Sequence, residues 1–218
     1  MNKVLISAGL ASFLSAAAGA AIFQVEIFGD IYYNGIRNGG PLDRANVPAG
    51  SKAVIHFLLD SNLYLNDPDG LPTRGYTINQ SSFSATYGSA TVGIQNPFPA
   101  GQTPMFVLRN NDPAVDGFFL STGTAYPWPI PTSEPGVFGQ FGVYFNVGYV
   151  GTTLSTLNIA DAVGTYDYTG LNNFGFSTDD GGNDAMGIDF TRMVISEVPA
   201  PATLAVMLPL TLIRRRRR

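Results

Sequence analysis

Cysteine is absent from the 218 residues of this chain, and histidine occurs only once. Without cysteine there are no disulfides, so the fold must be held together by packing. No cluster of cysteine and histidine is present that would bind zinc. We also find no Gly-x-Ser-x-Gly motif and no glycine-rich loop placed to cradle phosphate. The sequence therefore gives little support to the common hydrolase, zinc and nucleotide-binding classes.

The single histidine, His56, lies in the apolar stretch 54–58. A nucleophile, histidine and acid arrangement around it stays open as an alternative, because its members need only meet in space. A lone histidine in an apolar strand more often makes a structural hydrogen bond. We therefore interpret His56 as a hydrogen-bonded residue of the core or of a sheet face.

Basic residues are scarce outside the two ends of the chain. Of the twelve Lys and Arg, Lys3 and five terminal arginines lie in the end segments, whereas all sixteen Asp and Glu lie between Glu26 and Glu197. The middle of the chain, 22–197, therefore carries a net charge of about −10. An acidic surface argues against nucleic acid and anionic lipid as partners. Calcium and neutral polysaccharide are compatible with it.

Residues 1–21 have the pattern of a secretory signal peptide. Lys3 precedes an apolar run that begins at Val4, and Ala18-Gly19-Ala20 is the expected cleavage box. The alternative is a first transmembrane helix, which the many small residues at its end disfavour. We expect export through the secretion translocon.

Residues 198–218, the C-terminal tail, combine prolines, a short apolar run and a basic end. The twelve residues 202–213 make a helix of about 18 Å, against a hydrocarbon core of about 30 Å. Pro209 weakens such a helix further. The basic cluster stays on the cytoplasmic side of a membrane, and consists of Arg214, Arg215, Arg216, Arg217 and Arg218. The pattern predicts transient membrane insertion with the rest of the chain outside; a permanent tail anchor is the alternative.

The tail resembles the PEP-CTERM sorting tail of bacterial exosortase substrates. The motif is Val198, Pro199, Ala200, Pro201, Ala202 and Thr203, with Ala200 where the family has glutamate. The resemblance implies processing by an exosortase-type enzyme. It also implies delivery to the envelope, the cell surface or the extracellular matrix of a bacterial biofilm.

The middle segment, 22–197, is predicted to be one all-β domain. Phe23, Val25 and Ile27 alternate with polar residues, as in a strand with one buried face. Further strands are expected at 53–60, within 76–94, and at 105–109, 115–121, 137–150, 174–177 and 186–195. One short helix is expected within 154–163, ended by Gly164. Nine or ten short strands favour an antiparallel two-sheet β-sandwich, jelly-roll-like, flanked by the signal helix and the short apolar helix of the tail.

The run 179–184 carries the first candidate site. Asp179, Asp180, Asn183 and Asp184 bear short oxygen-containing side chains, and the glycines between them let the backbone turn. Calcium takes six to eight such oxygen ligands. The alternative is a solvated turn between the last two strands.

The proline-rich segment 126–131 carries the second candidate. It holds Tyr126 and Trp128, and Trp128 is the only tryptophan. Alternating prolines stiffen the segment, and rigid aromatics stack on sugar rings or anchor a partner protein. The alternative is that Trp128 packs beneath its own loop as a local core.

The sequence thus predicts an exported, non-catalytic envelope or matrix protein. One alternative is a calcium-dependent carbohydrate-binding module. The other is a polysaccharide-active hydrolase that works through acidic residues, whose two carboxyl groups must lie about 5 to 9.5 Å apart.

Overall fold

The computed structural model describes residues 20–112, 115–182 and 184–199. These residues form an all-antiparallel β fold, as predicted from the alternation of apolar and polar residues. Within the described ranges the strands are β1 (Ile22–Asn34), β2 (Lys52–Asn66), β3 (Thr73–Ile78), β4 (Ser84–Tyr87), β5 (Ala90–Val92), β6 (Met105–Arg109), β7 (Val115–Ser121), β8 (Ile130–Pro135), β9 (Gln140–Val150), β10 (Gly164–Tyr166), β11 (Leu171–Asp179) and β12 (Ala185–Val198). Two short 3-10 turns, Gln80–Ser82 and Ile159–Ala162, interrupt them.

Eight of these strands close into a barrel. Their order is β1, β12, β11, β9, β7, β6, β3 and β2, and β2 pairs again with β1. The four other strands pair with strands of the barrel or with one another: β4 with β2, β5 with β4, β10 with β12 and β8 with β9. The predicted two-sheet sandwich is therefore corrected to a closed barrel. The reason is that the long strands β1 and β2 pair along both of their edges, so the sheet has no break at which two layers separate.

Strand β1 shows how the sequence pattern produces this curvature. Phe23, Val25 and Ile27 are buried as predicted, while Gln24 and Glu26 are partly exposed. The pairing with β12 shifts register between Phe28 and Gly29. A Cβ at Gly29 would lie 2.5 Å from Cγ2 of Ile188. Glycine therefore lets the two strands approach closely where a long strand bends around the core.

Strand β9 confirms most of the strand predicted at 137–150. Phe141, Val143, Phe145, Val147 and Tyr149 alternate along it and are all buried. Val137, the first residue of the predicted strand, is 73% exposed and precedes β9. The backbone N–H of Gly136 donates to the carbonyl of Gly139, 2.6 Å away, and closes a turn over 136–139. The predicted start of this strand was therefore three residues early.

The predicted helix within 154–163 is reduced to the single 3-10 turn Ile159–Ala162. The buried Tyr76 explains why the segment stays irregular. Its hydroxyl donates to the carbonyl of Leu157, 2.8 Å away, and accepts from the N–H of Ile159, 3.0 Å away. The Tyr76 hydroxyl thus takes the place of the partners that a regular helix would give to the Leu157 carbonyl and the Ile159 N–H. Gly164 ends the turn as predicted and begins β10.

The described ranges hold no helix with the length and apolar character needed to span a membrane. The two flanking helices that the sequence predicts, in 1–21 and 202–213, fall almost wholly outside the described residues.

Candidate functional site

A groove of about 470 Å³ is lined by one residue of the aromatic candidate, Trp128, and by two of the calcium candidate, Asp179 and Asp180. It lies where the β7–β8 loop, the start of β9 and the β11–β12 turn meet. Its lining consists of Gln102, Thr122, Trp128, Pro129, Pro131, Gln140, Gly142, Asp179, Asp180 and Gly181. The volume is within the range of small-molecule sites, about 300 to 1,000 Å³.

Trp128 is presented on one wall of this groove with 62% of its surface exposed. The alternative in which it packs beneath its own loop is therefore wrong. The loop is nevertheless well anchored, because the buried Ser121 hydroxyl donates to the carbonyl of Tyr126, 2.6 Å away. The N–H of Trp128 also donates to the carbonyl of Leu120, 3.2 Å away. The indole is thus an exposed aromatic surface on a fixed backbone.

Tyr126 is 68% exposed on the same loop, but it does not line the groove. The two aromatic residues that the sequence grouped as one platform therefore do not share this site. Tyr126 is instead a natural control for Trp128, since both are exposed aromatics two positions apart.

Gly142 forms part of the groove and explains how the proline loop packs onto β9. It pairs with Pro131 on β8 and with Asp179 on β11. A Cβ at this position would lie 2.6 Å from the Cβ of Pro129. Glycine is therefore required for the close approach of the proline that follows Trp128.

Gln140 gives the groove an unsatisfied acceptor. Its Oε1 atom is buried, and no donor from the described part of the chain reaches it. A buried carbonyl oxygen without a partner is costly, about 1 to 3 kcal/mol, unless water or a ligand supplies a donor. Nothing in the sequence indicates that this oxygen lacks a partner among the described residues.

Asp180 supports one wall of the groove. Its Oδ2 accepts from the backbone N–H groups of Val137 and Phe138, 2.8 and 3.3 Å away, and its Oδ1 accepts from the N–H of Gly182, 3.0 Å away. The buried carboxylate therefore ties the 136–139 turn to the β11–β12 turn. Asp179 makes one such bond, with its Oδ1 accepting from the N–H of Gly181 at 3.1 Å.

These bonds reduce what the run 179–184 offers to calcium. Both Asp180 oxygens already accept N–H donors, and Asn183 lies outside the described residues. The described residues also hold no group of three or more His, Cys, Asp or Glu able to bind a metal. Asp180, whose two oxygens already accept N–H groups, is a poor ligand for a cation that takes six to eight oxygens. Calcium binding here stays a prediction of the sequence.

We expect the melting temperature of the purified protein to be the same in millimolar calcium and in excess chelator, because Asp180 serves the turn itself. Thermal unfolding followed by circular dichroism measures this. The opposite result is well defined: calcium at a hundred times its dissociation constant would stabilise the fold by about 2.7 kcal/mol. A gain in stability of that size in wild type, absent from the Asp184→Asn variant, would support calcium binding at this run.

His56 lies on β2, away from the groove lining. Its Nδ1 atom is 3.2 Å from the carbonyl oxygen of Ser82, in the first 3-10 turn. This contact confirms the interpretation of His56 as a hydrogen-bonded strand residue.

Most of the predicted sorting residues lie outside the described residues. Val198 ends β12 and Pro199 follows it. Ala200, Pro201, Ala202, Thr203 and the five terminal arginines are not among the described residues.

No family model, no curated protein and no solved structure matches this chain. The evidence for its function therefore comes from its own sequence and structure.

Proposed function

We propose that this protein is an exported, non-catalytic component of the envelope, the cell surface or the extracellular matrix of a bacterium. In this proposal the secretion translocon exports it and an exosortase-type enzyme processes its C-terminal tail. The observation that carries the proposal is the pairing of Ile22, the first residue of β1, with Val198, the last residue of β12. Both end segments therefore leave the barrel from adjacent positions at one end of a strand pair.

This arrangement supports removal of both ends without loss of the fold. A cut after Ala20 and a cut close to Pro199 would leave every strand of the barrel intact, since β1 starts at Ile22 and β12 ends at Val198. A tail joined directly to a strand end also holds the barrel close to the membrane until it is cut.

The bonding of the buried carboxylates supports a non-catalytic role. Asp67, Asp116 and Asp180 are buried, and each accepts hydrogen bonds from backbone N–H groups of its own or a neighbouring turn. A carboxylate held in this way is satisfied by the fold, whereas a general acid or base needs a position facing substrate. His56 is likewise engaged by a backbone carbonyl.

We expect the mature protein to lack both ends. Intact-mass measurement on protein recovered from the envelope and from the medium tests this directly. The double substitution Pro199→Ala and Pro201→Ala is expected to leave the tail uncut, because the enzyme would lose the extended backbone of the motif. Pro68→Ala, in a turn far from the tail in sequence, is the matched control and should be processed normally. Recovery of wild-type protein that still carries Arg214 to Arg218 would contradict the sorting proposal.

An assay for turnover distinguishes the hydrolase alternative from the non-catalytic proposal. Protein is incubated for hours with the producer's own polysaccharide, and new reducing ends are counted. We expect none above background. Sustained release that a single carboxylate substitution abolishes would replace the non-catalytic proposal with the enzyme.

A further inference from the structure

We propose that the groove beside Trp128 binds an uncharged saccharide of the surface polysaccharide, without calcium. This deepens the proposed function, since it names what an exported matrix protein would hold. It rests on that function only for the source of the saccharide, and the residues that line the groove are the evidence for the site.

The first element is the stacking surface. Trp128 has the largest aromatic face that a protein offers, and 62% of its surface is free. The ring faces of sugars present C–H groups, which pack on indole with a large apolar area. Because Ser121 and Leu120 bond to the loop backbone, the backbone that carries the indole is already placed before binding. Less conformational entropy is then lost on association.

The second element is a set of uncharged polar groups next to that surface. Gln140 lines the groove and carries an amide, which can both donate to and accept from a sugar hydroxyl. Gln102 and Thr122 also line the groove and both donate and accept. Among its described partners, Asp179 uses only Oδ1, for the N–H of Gly181, so Oδ2 is left as a further acceptor. Hydroxyl-rich ligands match such mixed donors and acceptors.

The third element is charge, which decides between neutral and acidic sugars. The described lining residues include the carboxylates of Asp179 and Asp180 and no lysine or arginine. The domain around them carries a net charge of about −10. A uronic acid or sulfated sugar would bring a like charge beside Asp179 without a cation to offset it. The groove therefore favours an uncharged saccharide.

The experiment uses the purified protein and two fractions of the producer's polysaccharide, neutral and anionic, separated by anion exchange. Binding is measured by affinity electrophoresis in gels that contain each fraction and excess chelator. We expect the neutral fraction to retard the protein and the anionic fraction to leave its mobility unchanged. Trp128→Ala should raise the dissociation constant about tenfold, or 1.4 kcal/mol, and Trp128→Phe by less. Gln140→Leu should also weaken binding.

Tyr126→Ala is the matched control, since it removes an equally exposed aromatic from the same loop but not from the groove. It should bind as wild type does, and the Tyr126 and Trp128 variants should keep the wild-type melting temperature, because both side chains are exposed. Three results would overturn the proposal: no retardation by the neutral fraction, equal loss in Tyr126→Ala and Trp128→Ala, or retention only in the presence of calcium. None of them affects the intact-mass result, so the saccharide site and the sorting proposal fail separately.

Discussion

Replacing Asp116 by alanine is expected to lower the free energy of unfolding by about 2 to 6 kcal/mol. Asp116 is fully buried, and its two oxygens serve two separate segments. Oδ1 accepts from the N–H of Asn111 at 2.8 Å, and Oδ2 accepts from the N–H of Leu154 at 2.6 Å. Alanine would leave both donors without their partner, and each orphaned donor costs about 1 to 3 kcal/mol.

Asn111 has a φ of 57°, in the left-handed region that asparagine adopts more readily than most residues other than glycine. The bond to Asp116 helps to hold that conformation. Urea denaturation of Asp116→Ala, Asp116→Asn and Asp112→Ala measures the effect. Asparagine keeps one acceptor oxygen and should cost less than alanine. Asp112, partly exposed and 3.6 Å from Nε of Arg109, should cost less than about 1 kcal/mol. An equal loss in Asp116→Ala and Asp112→Ala would contradict the structural role.

The second large effect is expected in alkaline solution. Burial raises the pKa of the Tyr87 hydroxyl well above its ordinary value, and the hydrogen bond to the Thr178 hydroxyl, 2.6 Å away, only partly opposes this. The unfolded chain releases this proton near pH 10, whereas the folded protein keeps it. The unfolded state is therefore favoured increasingly as the pH rises above 10. For this one group the free energy of unfolding should fall by about 1.4 kcal/mol per pH unit.

Tyr87→Phe identifies the contribution of this hydroxyl. The variant should be less stable than wild type at pH 7, because the buried Thr178 hydroxyl loses its partner. Between pH 10 and 12 its stability should fall less steeply. Some slope will remain, since burial also raises the pKa of Tyr149 and raises that of Tyr166 to about 12. Tyr126→Phe, which changes an exposed tyrosine, is the control variant. Urea titrations at several pH values test this, and identical slopes in Tyr87→Phe and wild type would refute it.

The sequence alone was enough to predict the class of fold and most of the strands. Met105–Arg109 and Val115–Ser121 have the predicted bounds, and Phe23, Val25 and Ile27 are buried as the alternation required. These features depend on a period of two within one strand, which is a local property of the chain. The predicted secretory signal and sorting tail are also local patterns, and they stay predictions.

The tertiary structure decided how the strands close and which residues meet. Closure depends on β1 pairing with both β2 and β12, whose residues are far from one another in sequence. The meeting of Trp128 with Asp179 depends on Gly142, which pairs with both flanking strands and lets Pro129 pack close. The role of Asp180 as a turn clamp depends on N–H groups more than forty positions away. Such contacts depend on strand register around a closed sheet, because a register shift of one residue would turn each side chain to the opposite face of the sheet. They therefore cannot be predicted from a local sequence pattern.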